Sequence, residues 1–153
     1  MKEKGNVEMN DIEKKMKIQK RQEKLKPWKP EVGEKYFVAA EDGADVVQYC
    51  EDGIDEFNIR FGNCFRTKER AEQVARKIRL LLRLEQLHDM LCPDYEPDYE
   101  DDDEVKYHVY FNHLQGKYNI SCSTSRESPC MVAFDTKENI EKAAEILNKE
   151  MGE

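Results

Sequence analysis

The sequence predicts an α+β fold: two antiparallel-strands-then-helix modules packed as one domain, preceded by a projecting N-terminal helix. Three observations predict it. FRTKERAEQVARKI from Phe65 returns sixty-nine residues later as FDTKENIEKAAEIL from Phe134, with Phe65/Phe134, Thr67/Thr136, Lys68/Lys137, Glu69/Glu138, Glu72/Glu141 and Ala75/Ala144 identical. In both places, short strand-like runs broken by turn residues precede the repeat. After each Thr, the apolar residues recur at helical spacing. Each half is too small to bury its own apolar face, so the two are expected to pack together.

The elements follow in order. Asn10-Asp-Ile-Glu13 has the form of a capping box, and helix formers without Gly or Pro run from Lys14 to Lys26. Their apolar stripe is ragged, so this helix is expected to project or to dock on a partner. Pro27 and Pro30 stiffen the chain around Trp28, expected to anchor the first module's edge. Tyr36–Ala40, Val46–Cys50 and the alternating run Glu56–Phe61 read as three strands, punctuated by Asp42-Gly43, Asp52-Gly53 and Gly62-Asn63. Thr67 is the expected N-cap of a long helix over about 67–90, with Glu69 in its first turn where the macrodipole favours an anion. Pro93–Glu104 (PDYEPDYEDDDE) reads as an acidic linker, because like charges this dense repel in a compact element. Lys106–Phe111 and Tyr118–Cys122 then read as a hairpin turned at Gln115-Gly116. A polar loop follows, and Thr136 caps a final helix with Ile140, Ala143, Ala144 and Leu147 on one face. The expected organisation is a basic tail over 1–26, a first module over 27–92, the acidic linker over 93–104 and a second module over 105–153.

Charge and cysteine usage narrow the function. Charged residues make up 38% of the chain and its net charge is −8. Residues 1–26 carry nine Lys/Arg against five Asp/Glu, so the remainder carries −12. An acidic body argues against nonspecific capture of nucleic acid and favours a protein partner with a basic surface. The five cysteines show no C-x-x-C and no zinc spacing, and most are expected to be small core residues. The N-terminus has no apolar leader and no run of about 18 apolar residues occurs, so a soluble, reduced, cytosolic protein is expected, with no membrane partner.

Catalytic chemistry finds no foothold. Arg60-Phe-Gly-Asn63 has a single Gly and is not a phosphate loop. His88, His108 and His113 have no metal-binding spacing, and the serines of Ser121–Ser128 lack a nucleophile elbow. No catalytic residue, metal or cofactor is expected, and the protein is read as a non-enzyme. Two interaction features remain. The acidic tract Asp94, Tyr95, Glu96, Asp98, Tyr99, Glu100, Asp101, Asp102, Asp103 and Glu104 places carboxylates where they can stand in for phosphates, with Tyr95 and Tyr99 placed to stack on a partner's arginines. The basic N-terminal helix is the other, as a partner or homodimer helix. The alternative reading is a pocket for a small nucleotide signal using Arg60, Arg66 and Arg126, or a self-assembling replication or structural factor.

Trp28-x-Pro30, Gly33-Glu-Lys-Tyr36 and Gly62-Asn63-x-Phe65-x-Thr67-Lys-Glu69-x-Ala71-Glu72 resemble a group of small proteins encoded by phages and prophages of low-GC Gram-positive bacteria. The resemblance covers roughly residues 27–91. It implies a setting in the host bacterial cytoplasm and, by class, an inhibitor of host defence. That implies an anti-CRISPR-like protein whose partner is a nucleic-acid-processing protein, a CRISPR effector among the candidates.

Overall fold

The computed structural model of the protein describes residues 14, 16, 27–127 and 130–152. The capping box at Asn10 and all but two positions of the expected helix Lys14–Lys26 lie outside the described residues. The fold is α+β, with two small two-stranded antiparallel sheets and three helices over the elements below. The chain separates into two compact units, Met1–Glu72 and Gln73–Glu153. That boundary falls inside the long helix, and residues 93–104 lie in the second unit.

In the first unit, β1 (Lys35–Ala40) pairs with β2 (Gly43–Gln48), with Tyr36 opposite Val47 and Ala40 opposite Gly43. Gly43 closes this two-residue turn at φ +132°, a conformation that L side chains rarely adopt. The expected third strand, Glu56–Phe61, is instead part of a helix, α1 (Gly53–Arg60). The capping box decides this. Asp52 Oδ1 accepts the amides of Ile54 and Asp55, each at 2.9 Å, and Asp55 Oδ2 accepts the Asp52 amide at 3.3 Å. The alternation of Phe57, Ile59 and Phe61 imitates a strand. On the helix, however, Phe57 and Phe61 stack in solvent with ring centroids 4.3 Å apart, and the buried positions are the polar Asp55 and Asn58.

The free edge of β1 is covered from the same unit. Asn63 acts as a surrogate backbone, its Oδ1 accepting from Ala39 N (2.7 Å) and its Nδ2 donating to Ala39 O (3.3 Å). Phe65 and Phe37 exchange both backbone hydrogen bonds as a bridge, at 2.8 and 2.9 Å. Pairing in this way removes an exposed strand edge. Phe65 itself is only half-buried, so it closes the strand through its backbone more than through its ring. Trp28 is half-buried, with the Arg66 guanidinium 5.4 Å above its ring. The long helix α2 (Lys68–Leu91) starts at Thr67, whose Oγ1 accepts the Arg70 amide at 3.3 Å.

In the second unit, β3 (Lys106–Asn112) pairs with β4 (Lys117–Ser123), and Tyr107 bridges Phe134 as Phe37 bridges Phe65. Thr136 Oγ1 accepts the Asn139 amide at the start of α3 (Lys137–Met151). Phe134, 0% exposed, sits in one cluster with Leu84, Leu87, Cys92, Ile140, Ala143 and Leu147. The C-terminal part of α2, expected in the first module, therefore supplies core to the second unit. Asn148 ties α3 to β4, accepting from Tyr118 N (2.7 Å) and donating to Tyr118 O (2.9 Å). All five cysteines are free thiols, and only Cys92 is buried. The expectation that most would be core residues fails because Cys50, Cys122 and Cys130 fall on exposed positions of loops and β4.

Candidate functional site

The acidic tract is a folded loop organised by one buried lysine. Lys106, at the first position of β3, is 0% exposed. Taking an ammonium out of water is costly unless it is paired and hydrogen-bonded. The loop supplies what it needs. Lys106 Nζ donates to the Asp101 carbonyl at 2.9 Å, stands 3.8 Å from Glu104 Oε2, and lies 5.5 Å from the centre of the Tyr99 ring. Glu104 is then fixed from two more sides: its Oε1 accepts from the Tyr95 hydroxyl at 2.6 Å and its Oε2 from the Asp98 amide at 3.1 Å. Two Asx turns complete the loop, with Asp98 Oδ1 accepting from Glu100 N (2.8 Å) and Asp101 Oδ1 from Asp103 N (2.9 Å).

Both tyrosines also have a part inside the loop: Tyr95 donates its hydroxyl to Glu104 and Tyr99 turns one ring face to Lys106, while both still line the adjoining cleft. Burial, and after it the bond to Glu104, pushes the Tyr95 hydroxyl pKa well above the ordinary tyrosine value. Asp94, Glu96, Asp98, Glu100, Asp101, Asp102 and Asp103 remain exposed on this fixed backbone, while Glu104 keeps 26% of its side chain in solvent. Beside the loop lies a cleft of about 300 Å³, walled by Tyr95, Tyr99 and His88 and carrying the carboxylates of Glu85, Glu96 and Glu127. His88 Nε2 lies 3.1 Å from the Tyr95 carbonyl, which holds that wall in place.

The alternative arginines do not share one unit. Arg60 lies over the Phe61 ring at 5.8 Å on α1, and Arg66 covers Trp28. Arg126 is exposed in the second unit beyond β4, its carbonyl accepting from Ser123 Oγ at 3.4 Å. His108 is buried with its Nε2 3.2 Å from Ser123 Oγ, and it stands opposite Ser121 in the ladder.

A second polar cluster, in the first unit, escaped the sequence reading. The buried Tyr36 hydroxyl donates to Asp55 Oδ1 (2.8 Å) and accepts from Asn58 Nδ2 (3.0 Å), while Asp55 Oδ2 accepts the Cys50 amide at 2.7 Å. Burial alone would raise the Asp55 pKa, but the Cys50 amide, the Tyr36 hydroxyl and the Asp52 amide together hold it below the ordinary value. Burial pushes Tyr36 up to about 12. Both groups are therefore locked in one protonation state near neutral pH, which suits a structural clamp and not proton transfer. Among the described residues no three His, Cys, Asp or Glu side chains are grouped to hold a metal ion, and no helix is long and apolar enough to cross a membrane.

What the fold and site define is a small α+β protein presenting a lysine-organised acidic loop. Compared with family models, curated proteins and solved structures, the chain matches none.

Proposed function

We propose that this chain is a non-enzymatic binding protein whose acidic loop docks on the basic, nucleic-acid-binding face of a host protein and excludes the nucleic acid. The observation that carries the reading is the fixed presentation of charge. Asp98, Glu100, Asp101, Asp102 and Asp103 stand in solvent on a backbone already tied to Lys106 and Glu104. A preorganised loop gives up less conformational freedom on binding than a flexible tract. The adjoining cleft, with aromatic walls and three carboxylates, suits the insertion of a lysine or arginine side chain from the same partner. The resemblance of residues 27–91 to phage proteins favours a defence protein as target, in the host cytoplasm, with a CRISPR effector among the candidates.

In this reading the two units are copies of one hairpin–bridge–helix module. The Phe37–Phe65 and Tyr107–Phe134 bridges and the Thr67 and Thr136 caps occupy matching places and support that view. The N-terminal helix is the proposed homodimer or partner element.

The test is capture from host lysate by the full chain and by a variant carrying Asp98→Asn, Glu100→Gln, Asp101→Asn, Asp102→Asn and Asp103→Asn. The Asn side chains retain the carbonyl oxygens that accept the loop amides, so the fold is expected to persist. Wild type is expected to retain basic nucleic-acid-binding proteins, to lose them as salt rises, and to block their nucleic-acid binding once purified. Equal capture and equal inhibition by the neutralised variant would refute the reading.

A further inference from the structure

We propose that a second cleft in the second unit, of about 590 Å³, binds a small organic phosphate. Its cations come from α2, where Arg76, Arg79 and Arg83 recur at i, i+3 and i+7 and so share one side of the helix. Glu150 of α3 is the single carboxylate among the lining residues, and it is already taken by Arg83 in a two-pronged ion pair. Among the described residues neither Arg76 nor Arg79 has an ion-pair partner. The Tyr118 hydroxyl, on the β4 side of the cleft, likewise donates to no described residue. The cleft thus carries two arginines with no carboxylate partner and a hydroxyl able to donate, which suits an anion.

The floor decides what else the ligand must be. Leu147 of the core and Leu80 packed against it line the same cleft as the arginines, and the Tyr118 ring meets Phe111 edge-on with centroids 5.2 Å apart. An inorganic anion would use the guanidinium groups and leave this apolar surface wet. A phosphate ester on an aromatic or heterocyclic body uses both, and the volume lies within the roughly 300–1,000 Å³ usual for small-molecule sites. The planar forks of Arg76 and Arg79 suit phosphate oxygens better than a point charge would. This site shares no residue with the acidic loop, and its occupant has the opposite charge preference. It relocates the expected nucleotide pocket from Arg60, Arg66 and Arg126 to residues one unit supplies alone.

The test titrates the full chain, at low salt, with adenosine monophosphate, phenyl phosphate, inorganic phosphate and adenosine, followed by NMR and calorimetry. The two phosphate esters are expected to bind saturably and to shift signals of Tyr118 and Leu80. Inorganic phosphate and adenosine are expected to bind at least about tenfold more weakly. R76Q/R79Q should weaken ester binding by about tenfold or more with unchanged thermal unfolding, since both side chains are exposed. The neutralised acidic-loop variant should bind the esters as wild type does. Absence of saturable ester binding in the millimolar range, or undiminished binding by R76Q/R79Q, would overturn the proposal. Inorganic phosphate binding as tightly as the esters would overturn the role given to the apolar floor.

Discussion

Replacing Lys106 by Met tests whether one buried ammonium holds the acidic loop in shape. Met keeps most of the aliphatic stem, so packing against the neighbours changes little and the charge is what is lost. At 3.8 Å from Glu104, the pair's Coulomb attraction is about 4 kcal/mol at the effective dielectric of a protein near its surface. The hydrogen bond from a charged donor to the Asp101 carbonyl adds about 1.5–3 kcal/mol. Against these stands the desolvation of the ammonium, which Met removes. Breaking a buried pair from one side costs about 3–5 kcal/mol, and because Glu104 keeps 26% of its side chain in solvent the lower end, about 3 kcal/mol, is expected. Urea unfolding followed by circular dichroism measures the total. Amide exchange of Asp98, Glu100 and Asp103, whose acceptors lie within the loop, localises it. A loss below about 1 kcal/mol with unchanged exchange at those amides would show that the loop holds itself without the lysine.

Two further outcomes follow from burial. Phe134→Ala should cost about 3–5 kcal/mol, because the ring is fully enclosed, whereas Phe65→Ala should cost roughly half as much at its half-buried position; equal losses in equilibrium unfolding would contradict the difference. Burial holds the His108 pKa below its ordinary 6.5, so the unfolded chain takes up a proton that the folded one resists. Its contribution is then present above about pH 6.5 and lost as pH falls, at no more than about 1.4 kcal/mol per pH unit. Stability measured from pH 7 to 5 should decline, and His108→Gln should flatten that decline.

Much of the fold was legible because its signals are local. The Thr67 and Thr136 caps, both hairpins of the sheets and the long helix depend on short-range propensity and turn chemistry; each stands within a residue or two of its expected place except β2, which starts at Gly43 and not Val46. The misread element is instructive for the same reason. Asp52-Gly-Ile-Asp55 is a capping box as plain as the one at Asn10-Asp-Ile-Glu13, but the alternation of Phe57, Ile59 and Phe61 imitates a strand over the residues that follow it. A tertiary demand acts with the cap: Asp55 and Asn58 must share a helix face to clamp the Tyr36 hydroxyl from β1. A buried face made of Asp and Asn gives no hydrophobic period to find.

The acidic loop was illegible for a deeper reason. Density of like charge argues for an extended, solvated tract only when no counter-charge enters its interior. Lys106 lies just past the tract, where it reads as the polar start of a strand, and its burial could not be inferred from its own neighbourhood. Once it is inside, the argument reverses. The ammonium needs a carbonyl, a carboxylate and a ring face, and Asp101, Glu104 and Tyr99 supply one each. Glu104 is thereby tied into the loop's interior, and Asp98, Glu100, Asp101 and Asp103 are joined by hydrogen bonds that run on to Lys106 and Glu104. The mimicry hypothesis therefore depends on a residue outside the acidic run. If K106M releases the loop and the Asn/Gln variant loses its partner while K106M does not, charge alone is recognised; if both lose it, the partner reads a shape that Lys106 imposes.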